Sequence, residues 1–196
     1  MASTGPLGTF KREALPHDVA GYEQEARART LTDFVAAHPH PFLLYAKSVL
    51  WDPALVQVST GFAARTMPVD YSLFSGGRTF LSPIKKVQSD PRLIGVWLGR
   101  SVVGNDVVVP VSSISTKHAR FMPPGSSRPD VWCVVDLKSS NKTYVGEEVI
   151  APETPVALDD GGYLRLGGNL IAWFLSPSRL WQTLRAPEQL ARLLNP

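Results

Sequence analysis

Short apolar runs separated by polar turns fill the second half of the chain. They lie at residues 93–98, 107–109, 131–137 and 170–175, with turns at 104–106, 123–127, 159–162 and 167–169. Runs of this length, bounded by Gly, Pro, Asn and Asp, are typical of strands in an all-β sandwich. No pattern of helical length interrupts them, and Gly76-Gly77 marks a turn before a first strand at 78–82. We therefore expect a β-sandwich over residues 76–176.

The first 75 residues follow a different pattern. Residues 1–20 are rich in Gly, Pro, Ser and Thr, and we expect them to be flexible or to lie on the surface. Residues 22–38 place apolar side chains at the spacing of one buried helical stripe, and the prolines that follow end the predicted helix. The runs at 42–45 and 55–58 fit either strands or buried helical turns. Residues 21–75 are thus predicted to be a helical or mixed extension.

The sequence of residues 177–196 predicts a helical segment. Ser176-Pro177 is a capping signal for a helix over 178–184, and Pro187 begins a second helix that reaches Leu194. The leucines of this second helix lie on one face. We therefore expect both helices to pack against the N-terminal one.

Composition narrows the function only slightly. The chain has 196 residues, 44% of them hydrophobic, which is enough for one complete core with extensions. Its net charge of +3 favours anionic partners weakly, because nucleic-acid binders concentrate basic residues on one face. Cys133 is the single cysteine, so we expect a buried thiol in a reducing compartment. Without a leader or a membrane-length apolar run, the sequence predicts a soluble cytoplasmic protein with no membrane contact.

Three polar clusters carry most of the functional information. They are Gly99-Arg100, the Ser-Thr-Lys-His of residues 115–118 and the Ser-Ser-Asn-Lys-Thr of residues 139–143, and each lies beside a predicted strand. Loops on a rigid sheet commonly carry binding residues. A guanidinium, several hydroxyls and an amide that converge from separate loops can bind a planar or tetrahedral anion. Nothing among these residues resembles an activated nucleophile.

The order of these clusters resembles the forkhead-associated (FHA) domain family. The matching elements are Gly99-Arg100, the Ser-x-x-His of 115–118 and the Asp-Leu-x-Ser-x-Asn-x-Thr of 136–143, within blocks at 94–100, 105–109, 114–121, 136–145 and 158–167. The resemblance covers about residues 76–176. It implies an FHA-type β-sandwich of two mostly antiparallel sheets that binds a threonine-phosphorylated protein or peptide. It also implies an adaptor in Ser/Thr-kinase signalling, with no catalysis and no cofactor.

The resemblance implies roles for individual residues. Arg100 would contact the phosphate and the peptide backbone, Ser115 would donate its hydroxyl to a phosphate oxygen, and Asn141 would bind the ligand main chain. The implied phosphopeptide-binding residues are Arg100, Ser115, Thr116, Lys117, Ser140, Asn141 and Lys142. The implied structural residues are Gly99, His118 and Thr143, of which His118 would brace the loop.

Three departures from the family pattern leave a second function open. Thr116 stands where a basic residue is common, Lys142 where glycine is usual, and Gly146 where asparagine is frequent. Either Lys142 adopts a left-handed conformation at a cost of about 1 kcal/mol or more, or the loop has another shape. Its ammonium could also add a phosphate contact. The alternative function is a degenerate FHA module that assembles proteins without phosphate.

Other functions fit the sequence less well. Ser115, His118 and Asp136 have the composition of a hydrolytic triad, but they match structural and binding positions of the family. Nucleic-acid binding would depend on the basic residues Lys85, Lys86, Arg92 and Lys117. The adjacent carboxylates of Asp159 and Asp160 are typical of a solvated turn, so no metal site is predicted.

Overall fold

Two β-sheets pack face to face, and a layer of helices covers part of one outer face. A computed structural model describes residues 12–46, 78–87, 94–125 and 131–196. The strands in these ranges are β1 (His17–Asp18), β2 (Phe42–Tyr45), β3 (Phe80–Pro83), β4 (Val96–Gly99), β5 (Val107–Val108), β6 (Ala119–Met122), β7 (Cys133–Asp136), β8 (Thr143–Val145), β9 (Glu148–Val149), β10 (Val156–Ala157), β11 (Tyr163–Leu166) and β12 (Leu170–Leu175). The helices are α1 (Val19–Ala28), α2 (Leu31–Ala37), α3 (Pro177–Arg185) and α4 (Pro187–Leu194), and a 3₁₀ turn spans Arg12–Ala14.

The two sheets confirm the predicted fold class. One sheet has the strand order β1-β3-β2-β12-β11-β8-β9, and the other has the order β10-β7-β6-β4-β5. Among the described strands, β4 and β5 pair in parallel and all other neighbours pair antiparallel. Each of the four apolar runs that predicted a strand contains one, namely β4, β5, β7 and β12.

The main core lies between the sheets. Leu98 and Phe121 contribute to it from the five-stranded sheet, and Leu164 and Leu166 from the seven-stranded sheet, all fully buried. Full burial of one such side chain stabilises the folded state by about 1.5–3 kcal/mol. This core fixes the strand ends from which the polar loops emerge.

β2 shows why its apolar run was ambiguous in the sequence. Leu43 and Tyr45 point into the core between the sheets, whereas Phe42 and Leu44 pack with the helices on the opposite face. A strand covered on both faces loses the alternation of apolar and polar residues that identifies a half-buried strand. Its neighbours in the sheet, β3 and β12, supply Leu81 and Leu175 to the same helical layer.

The prediction of one helix over residues 22–38 is wrong, because the chain forms two. α1 ends at Ala28, and α2 begins after Thr30, whose hydroxyl accepts a hydrogen bond from the Asp33 N–H at 3.2 Å. Threonine in this position satisfies a free amide of a new helix and so favours a break in the preceding one.

The two C-terminal helices are confirmed, and they pack on the N-terminal pair. The Ser176 hydroxyl caps α3 by accepting from the Arg179 N–H at 3.1 Å. Leu180 and Leu184 of α3 lie in one apolar cluster with Ala26 and Phe34 of the N-terminal helices. The Arg185 guanidinium adds a 3.0 Å hydrogen bond to the carbonyl of Ala26.

The seven-stranded sheet extends to either side of the predicted boundary at residue 76. β1 and β2 precede this boundary and pair with β3 and β12. In the described part of segment 1–20, Ala14 and Leu15 are buried in a cluster with Val87 and Val108. The run at 55–58, the turn at 76–77 and Arg92 lie outside the described residues. The four predicted segments, 1–20, 21–75, 76–176 and 177–196, therefore remain predictions. Among the described residues, no helix combines the length and apolarity needed to cross a membrane.

Candidate functional site

Three loops meet at one end of the sandwich. They are the segment after β4, the loop between β5 and β6, and the loop between β7 and β8. The Arg100 N–H donates to the Ser115 carbonyl at 2.9 Å, and the Ser140 N–H donates to the Ser115 hydroxyl oxygen at 3.1 Å. Ser115 therefore links all three loops. We call the residues Arg100, Ser115, Ser140, Asn141 and Lys142 the rim.

Arg100 and Asn141 reach the same stretch of the loop between β5 and β6. The Arg100 guanidinium donates from Nη1 to the Ser112 carbonyl at 3.3 Å, and the Asn141 amide donates from Nδ2 to the Ser113 carbonyl at 2.9 Å. Because these two carbonyls belong to consecutive residues, a cationic fork and a neutral amide lie close together. Both contacts are exposed to solvent, so an anionic ligand can compete for them.

The Ser115 hydroxyl is oriented by its neighbour. Its oxygen accepts the Ser140 N–H, which leaves the hydroxyl proton available for donation to a ligand. The side chain is half-buried in the loop, while Ser140 itself is exposed. A serine held this way can present one donor to an anion at the rim.

His118 lies beneath the rim and forms hydrogen bonds to two of its loops. It is fully buried, its Nδ1 accepts the Ser115 N–H at 3.1 Å, and its Nε2 lies 3.2 Å from the Lys142 carbonyl oxygen. Since Nδ1 accepts, Nε2 carries the proton and donates to that carbonyl. Burial lowers the pKa of His118 below 6.5, and the smaller effects of the Asp136 carboxylate and the Lys142 carbonyl oppose this shift. The imidazole is therefore a neutral connector of two loops.

Asp136 holds the loop between β7 and β8 in place. One carboxylate oxygen accepts from the Ser139 hydroxyl at 2.5 Å and the Thr143 hydroxyl at 2.8 Å, and the other accepts from the Ser139 N–H at 3.1 Å. All three residues are buried. The sequence analysis matched Asp136 to a position of the family motif but gave it no role of its own, whereas Thr143 was included among the implied structural residues.

Asn105 is a second connector that the sequence analysis missed. Its buried amide nitrogen donates to the carbonyls of Ser101 and Thr116, both at 2.8 Å. It therefore joins the segment after β4 to the loop between β5 and β6. The tripeptide Gly104-Asn105-Asp106 reads as an ordinary turn in sequence, and this appearance concealed the role.

Gly99 is required by a close approach between these same two segments. A Cβ atom at this position would lie 2.2 Å from the Thr116 carbonyl oxygen and 2.8 Å from the Asn105 amide nitrogen. No side chain fits there without moving the backbone.

Lys142 adopts the left-handed conformation, which was the first of the two possibilities for this departure. Its φ angle is 65°, and its carbonyl accepts from both His118 Nε2 and the Gly167 N–H, the latter at 3.0 Å. The backbone of Lys142 is thus fixed while its side chain is exposed.

Gly146 is another position that departs from the family pattern. Its φ angle is 59°, and it is the first residue of the two-residue turn between Val145 and Glu148 in the β8–β9 hairpin.

Thr116 and Lys117, the remaining two candidate binding residues, are not part of the rim. Thr116 is exposed and carries no charge, and its carbonyl is bound by Asn105. Lys117 Nζ lies 4.7 Å from the centroid of the Trp97 ring, on the outer face of the five-stranded sheet. Its ammonium is therefore directed to the indole and is not gathered with the rim.

The geometry does not form a catalytic triad. His118 Nδ1 is bonded to the main-chain nitrogen of Ser115 and not to its hydroxyl, and the Asp136 carboxylate accepts from Ser139 and Thr143. A general base must reach the proton that it abstracts. The arrangement positions loops instead.

Several charged residues that were considered for metal or nucleic-acid binding are paired with other residues of the chain. Asp160 accepts from both the N–H and the hydroxyl of Ser176 at 2.7 Å, which ties its turn to the start of α3. In the described ranges, no group of three or more His, Cys, Asp or Glu residues could hold a metal ion. Lys85 pairs with Glu13 at 3.1 Å, and Lys86 pairs with buried Asp106 at 3.0 Å.

Comparison with known proteins relates this geometry to a family. Residues 96–167 match the family model of the FHA domain. A segment of 72 residues is 39% identical to an FHA domain-containing protein of Arabidopsis thaliana, covering 37% of this chain and 18% of that relative. A solved FHA domain of an Arabidopsis thaliana hypothetical protein is 33% identical, with 41% of this chain and 65% of that chain covered and a TM-score of 0.38. The MEK1 FHA domain in complex with a HOP1 phosphothreonine peptide is 22% identical, with 49% and 87% covered and a TM-score of 0.38.

The matched residues contain the whole rim and its supports. The match begins at Val96, at the start of β4, and ends at Gly167, whose N–H binds the Lys142 carbonyl. All three loops, together with His118 and Asp136, lie between these limits. The chain therefore carries an FHA domain at residues 96–167.

Proposed function

We propose that this chain is an adaptor that binds threonine-phosphorylated segments of partner proteins in Ser/Thr-kinase signalling, without catalysing a reaction. One observation carries the proposal. A guanidinium, a hydroxyl and an amide from three separate loops meet at the rim, and buried His118 and Asp136 hold those loops. Recognition of a phosphate needs such fixed donors and no chemistry.

Each rim residue has a task in this proposal. Phosphothreonine carries about −1.5 to −2 charges and three acceptor oxygens. Arg100 exchanges its long contact with the Ser112 carbonyl for a charge-assisted bond to the phosphate, and Ser115 donates its free hydroxyl proton. Asn141 binds the ligand main chain beside the phosphothreonine, and Ser140 lines the pocket.

Lys142 supplies the second positive charge in this proposal. Thr116 is neutral, and Lys117 lies over Trp97, so the loop between β5 and β6 brings no cation to the rim. The exposed ammonium of Lys142 comes instead from the loop between β7 and β8. Backbone strain of this kind occurs more often at functional sites than elsewhere, which supports a binding role for this residue.

A specific observation favours the alternative of phosphate-independent assembly. Arg100 and Asn141 both donate to carbonyls of their own domain, and these two bonds must be exchanged before a ligand binds. A degenerate module could keep them permanently and use the same surface for an unmodified partner.

Binding of matched peptides separates the two functions. A phosphothreonine peptide, its unmodified form and a phosphatase-treated sample are titrated by calorimetry against the full chain. The adaptor proposal expects binding of the first peptide only, and Arg100→Ala should abolish most of it. Arg192→Gln, on the exposed face of α4, is the charge-matched control and should bind as the unaltered chain does. Equal affinity for both peptides would establish phosphate-independent assembly.

A further inference from the structure

A second surface continues from the rim along the outer face of the five-stranded sheet. It consists of Ile94, Trp97, Val103, Lys117 and Arg120, and we call it the Trp97 patch. Lys117 Nζ lies 4.7 Å and Arg120 Cζ lies 5.8 Å from the centroid of the Trp97 ring. Since Lys117 follows Ser115 by two residues, a segment bound at the rim can extend directly onto this patch.

The patch is preformed. The indole Nε1 of Trp97 donates to the Ile94 carbonyl at 3.1 Å, which fixes the ring. Trp97 and Arg120 face each other across β4 and β6, where cross-strand neighbours interact. Lys117 packs beside Gly104, where a Cβ atom would lie 3.5 Å from its Cε. A partner therefore meets side chains that are already ordered, which lowers the entropic cost of binding.

Two apolar side chains of the patch are open to solvent: Ile94, whose carbonyl accepts the Trp97 indole N–H, and Val103, the neighbour of the Gly104 against which Lys117 packs. Ile94 is 61% exposed and Val103 is 52% exposed. Among the described residues, only one more large apolar side chain is exposed to this degree, Val149 on the β9 edge. Exposed apolar side chains beside an ordered aromatic residue mark an interaction surface better than scattered ones do.

Within the described ranges, the two cations of the patch have no carboxylate partner. Lys85, Lys86 and Lys138 each form an ion pair, with Glu13, Asp106 and Glu153 respectively. In the part of the chain that the structure describes, no such pair is formed by Lys117 or Arg120, which share one indole. Two like charges held on one ring repel each other, and a carboxylate between them would relieve this repulsion.

The position of Lys117 favours a protein partner over a nucleic acid. Single-stranded nucleic acids bind aromatic residues by stacking bases on the ring. Lys117 lies over the Trp97 ring and would have to leave before a base could stack there. A carboxylate of a peptide approaches the same cation without displacing it.

We propose that the Trp97 patch docks an acidic segment with interspersed apolar side chains, located in the same partner that presents the phosphothreonine. Carboxylates bind Lys117 and Arg120, and apolar side chains cover Ile94, Val103 and the edge of Trp97. This proposal rests on the proposed function for the choice of partner, but the patch itself does not require the phosphate.

The test uses the full chain and three designed peptides. The first is a short phosphothreonine peptide with alanine neighbours. The other two carry the same core joined by a flexible linker to Asp-Leu-Glu-Leu-Asp, at one end or the other. Affinities are measured by calorimetry for the unaltered chain, for Lys117→Gln/Arg120→Gln, and for the charge-matched control Arg179→Gln/Arg192→Gln on the helical layer. The indole N–H signal of Trp97, assigned with Trp97→Phe, is followed by NMR with phosphorylated and unphosphorylated extended peptides.

We expect at least one extended peptide to bind about fivefold tighter than the core, as one or two exposed ion pairs would provide. The gain should vanish in Lys117→Gln/Arg120→Gln and persist in the control, and the Trp97 signal should move even without phosphate. A gain that survives the double substitution, or a Trp97 signal that no extended peptide moves, would overturn the docking proposal. So would a larger response to a single-stranded oligonucleotide or to anionic vesicles. Failure of the core peptide to bind, with a moving Trp97 signal, would contradict only the proposed function.

Discussion

The buried imidazole of His118 donates from Nε2 to the carbonyl of Lys142, the residue that departs most from its family. The same ring accepts the Ser115 N–H on its other nitrogen. One neutral histidine therefore sets the relative position of the two loops that supply most of the rim. It also helps to hold Lys142 in a backbone conformation that an L-residue rarely adopts.

Replacement of His118 should destabilise the domain. In His118→Ala two buried polar groups, the Ser115 N–H and the Lys142 carbonyl, lose a partner, which should cost about 1–3 kcal/mol of unfolding free energy. The expected result is a lower melting temperature in thermal unfolding of the full chain. His40→Ala, at an exposed position, is the control and should leave the melting temperature nearly unchanged. Equal stability of both variants would contradict the bracing role.

The lowered pKa of His118 predicts a dependence of stability on pH. The folded domain disfavours the imidazolium because burial lowers the pKa below the ordinary 6.5, whereas the unfolded chain takes up a proton near 6.5. The contribution of this group is therefore fully present above pH 6.5 and is lost as pH falls toward and through the folded pKa.

The slope of unfolding free energy against pH measures this effect. Between pH 7 and pH 5 the slope should be smaller in His118→Gln than in the unaltered chain. His17 and His40 also have lowered pKa values, so part of the slope should remain. A slope that His118→Gln leaves unchanged would show that another group is responsible.

Local patterns in the sequence predicted much of this fold. The turns and apolar runs in the second half indicated the sandwich, because short apolar runs bounded by Gly, Pro, Asn and Asp are typical of its strands. Ser176 marked the start of α3 because its hydroxyl caps that helix, and Pro187 marked the start of α4 because proline is favoured at the first helical position. The motif order likewise directed attention to His118, which forms hydrogen bonds to two loops of the rim, and its bracing role stays a prediction.

Long-range contacts explain what the sequence did not reveal. β2 looks uniformly apolar because it separates two cores, and only the partner strands distinguish it from a helix. Asn105 binds carbonyls of Ser101 and of Thr116, which is eleven residues away, and no local pattern encodes the second bond. The sequence analysis included Lys117 in the phosphate site because it lies between two motif residues. In the structure its ammonium lies over the ring of Trp97, which belongs to strand β4.

The Asp136 network should also support stability. Thr143→Val removes one donor to a buried carboxylate, and we expect a loss of about 1–2 kcal/mol of unfolding free energy. Thr143→Ser keeps the hydroxyl and should recover most of this loss, which separates the hydrogen bond from packing. Urea unfolding of the three proteins measures the difference. If serine were no better than valine, the bond to Asp136 would not be the stabilising feature.

Loss of a rim donor should weaken phosphopeptide binding without unfolding the domain. Arg100→Ala removes one charge-assisted contact, worth about 1.5–3 kcal/mol, so affinity should fall roughly tenfold to a hundredfold. Calorimetric titration with a phosphothreonine peptide measures the loss, and circular dichroism checks the fold.

Ser115→Ala should lower affinity as well, but it also removes the acceptor of the Ser140 N–H. Ser115→Thr retains the oxygen and serves as its matched variant. Unchanged affinity in both Arg100→Ala and Ser115→Ala would refute the site.

Two substitutions at Lys142 separate its backbone strain from its charge. Lys142→Ala removes the ammonium but remains an L-residue at positive φ, whereas Lys142→Gly removes both the charge and the strain. Relief of strain is worth about 1–2 kcal/mol, and the greater freedom of glycine in the unfolded chain offsets about 0.4–1 kcal/mol of it. Lys142→Gly should therefore be as stable as the unaltered chain or up to about 1.6 kcal/mol more stable, while Lys142→Ala should not gain. Thermal unfolding measures both.

Phosphopeptide affinity then shows why a strained lysine is retained at the rim. If its ammonium is the second phosphate cation, both variants should bind more weakly, and the difference from the unaltered chain should shrink at high salt because ions screen the exposed pair. Titrations at two salt concentrations, with the unmodified peptide alongside, measure this. Affinities that stay equal for phosphorylated and unmodified peptides across all three proteins would favour phosphate-independent assembly. A phosphate-dependent affinity that neither variant lowers would leave Arg100 as the principal cation and remove Lys142 from the site.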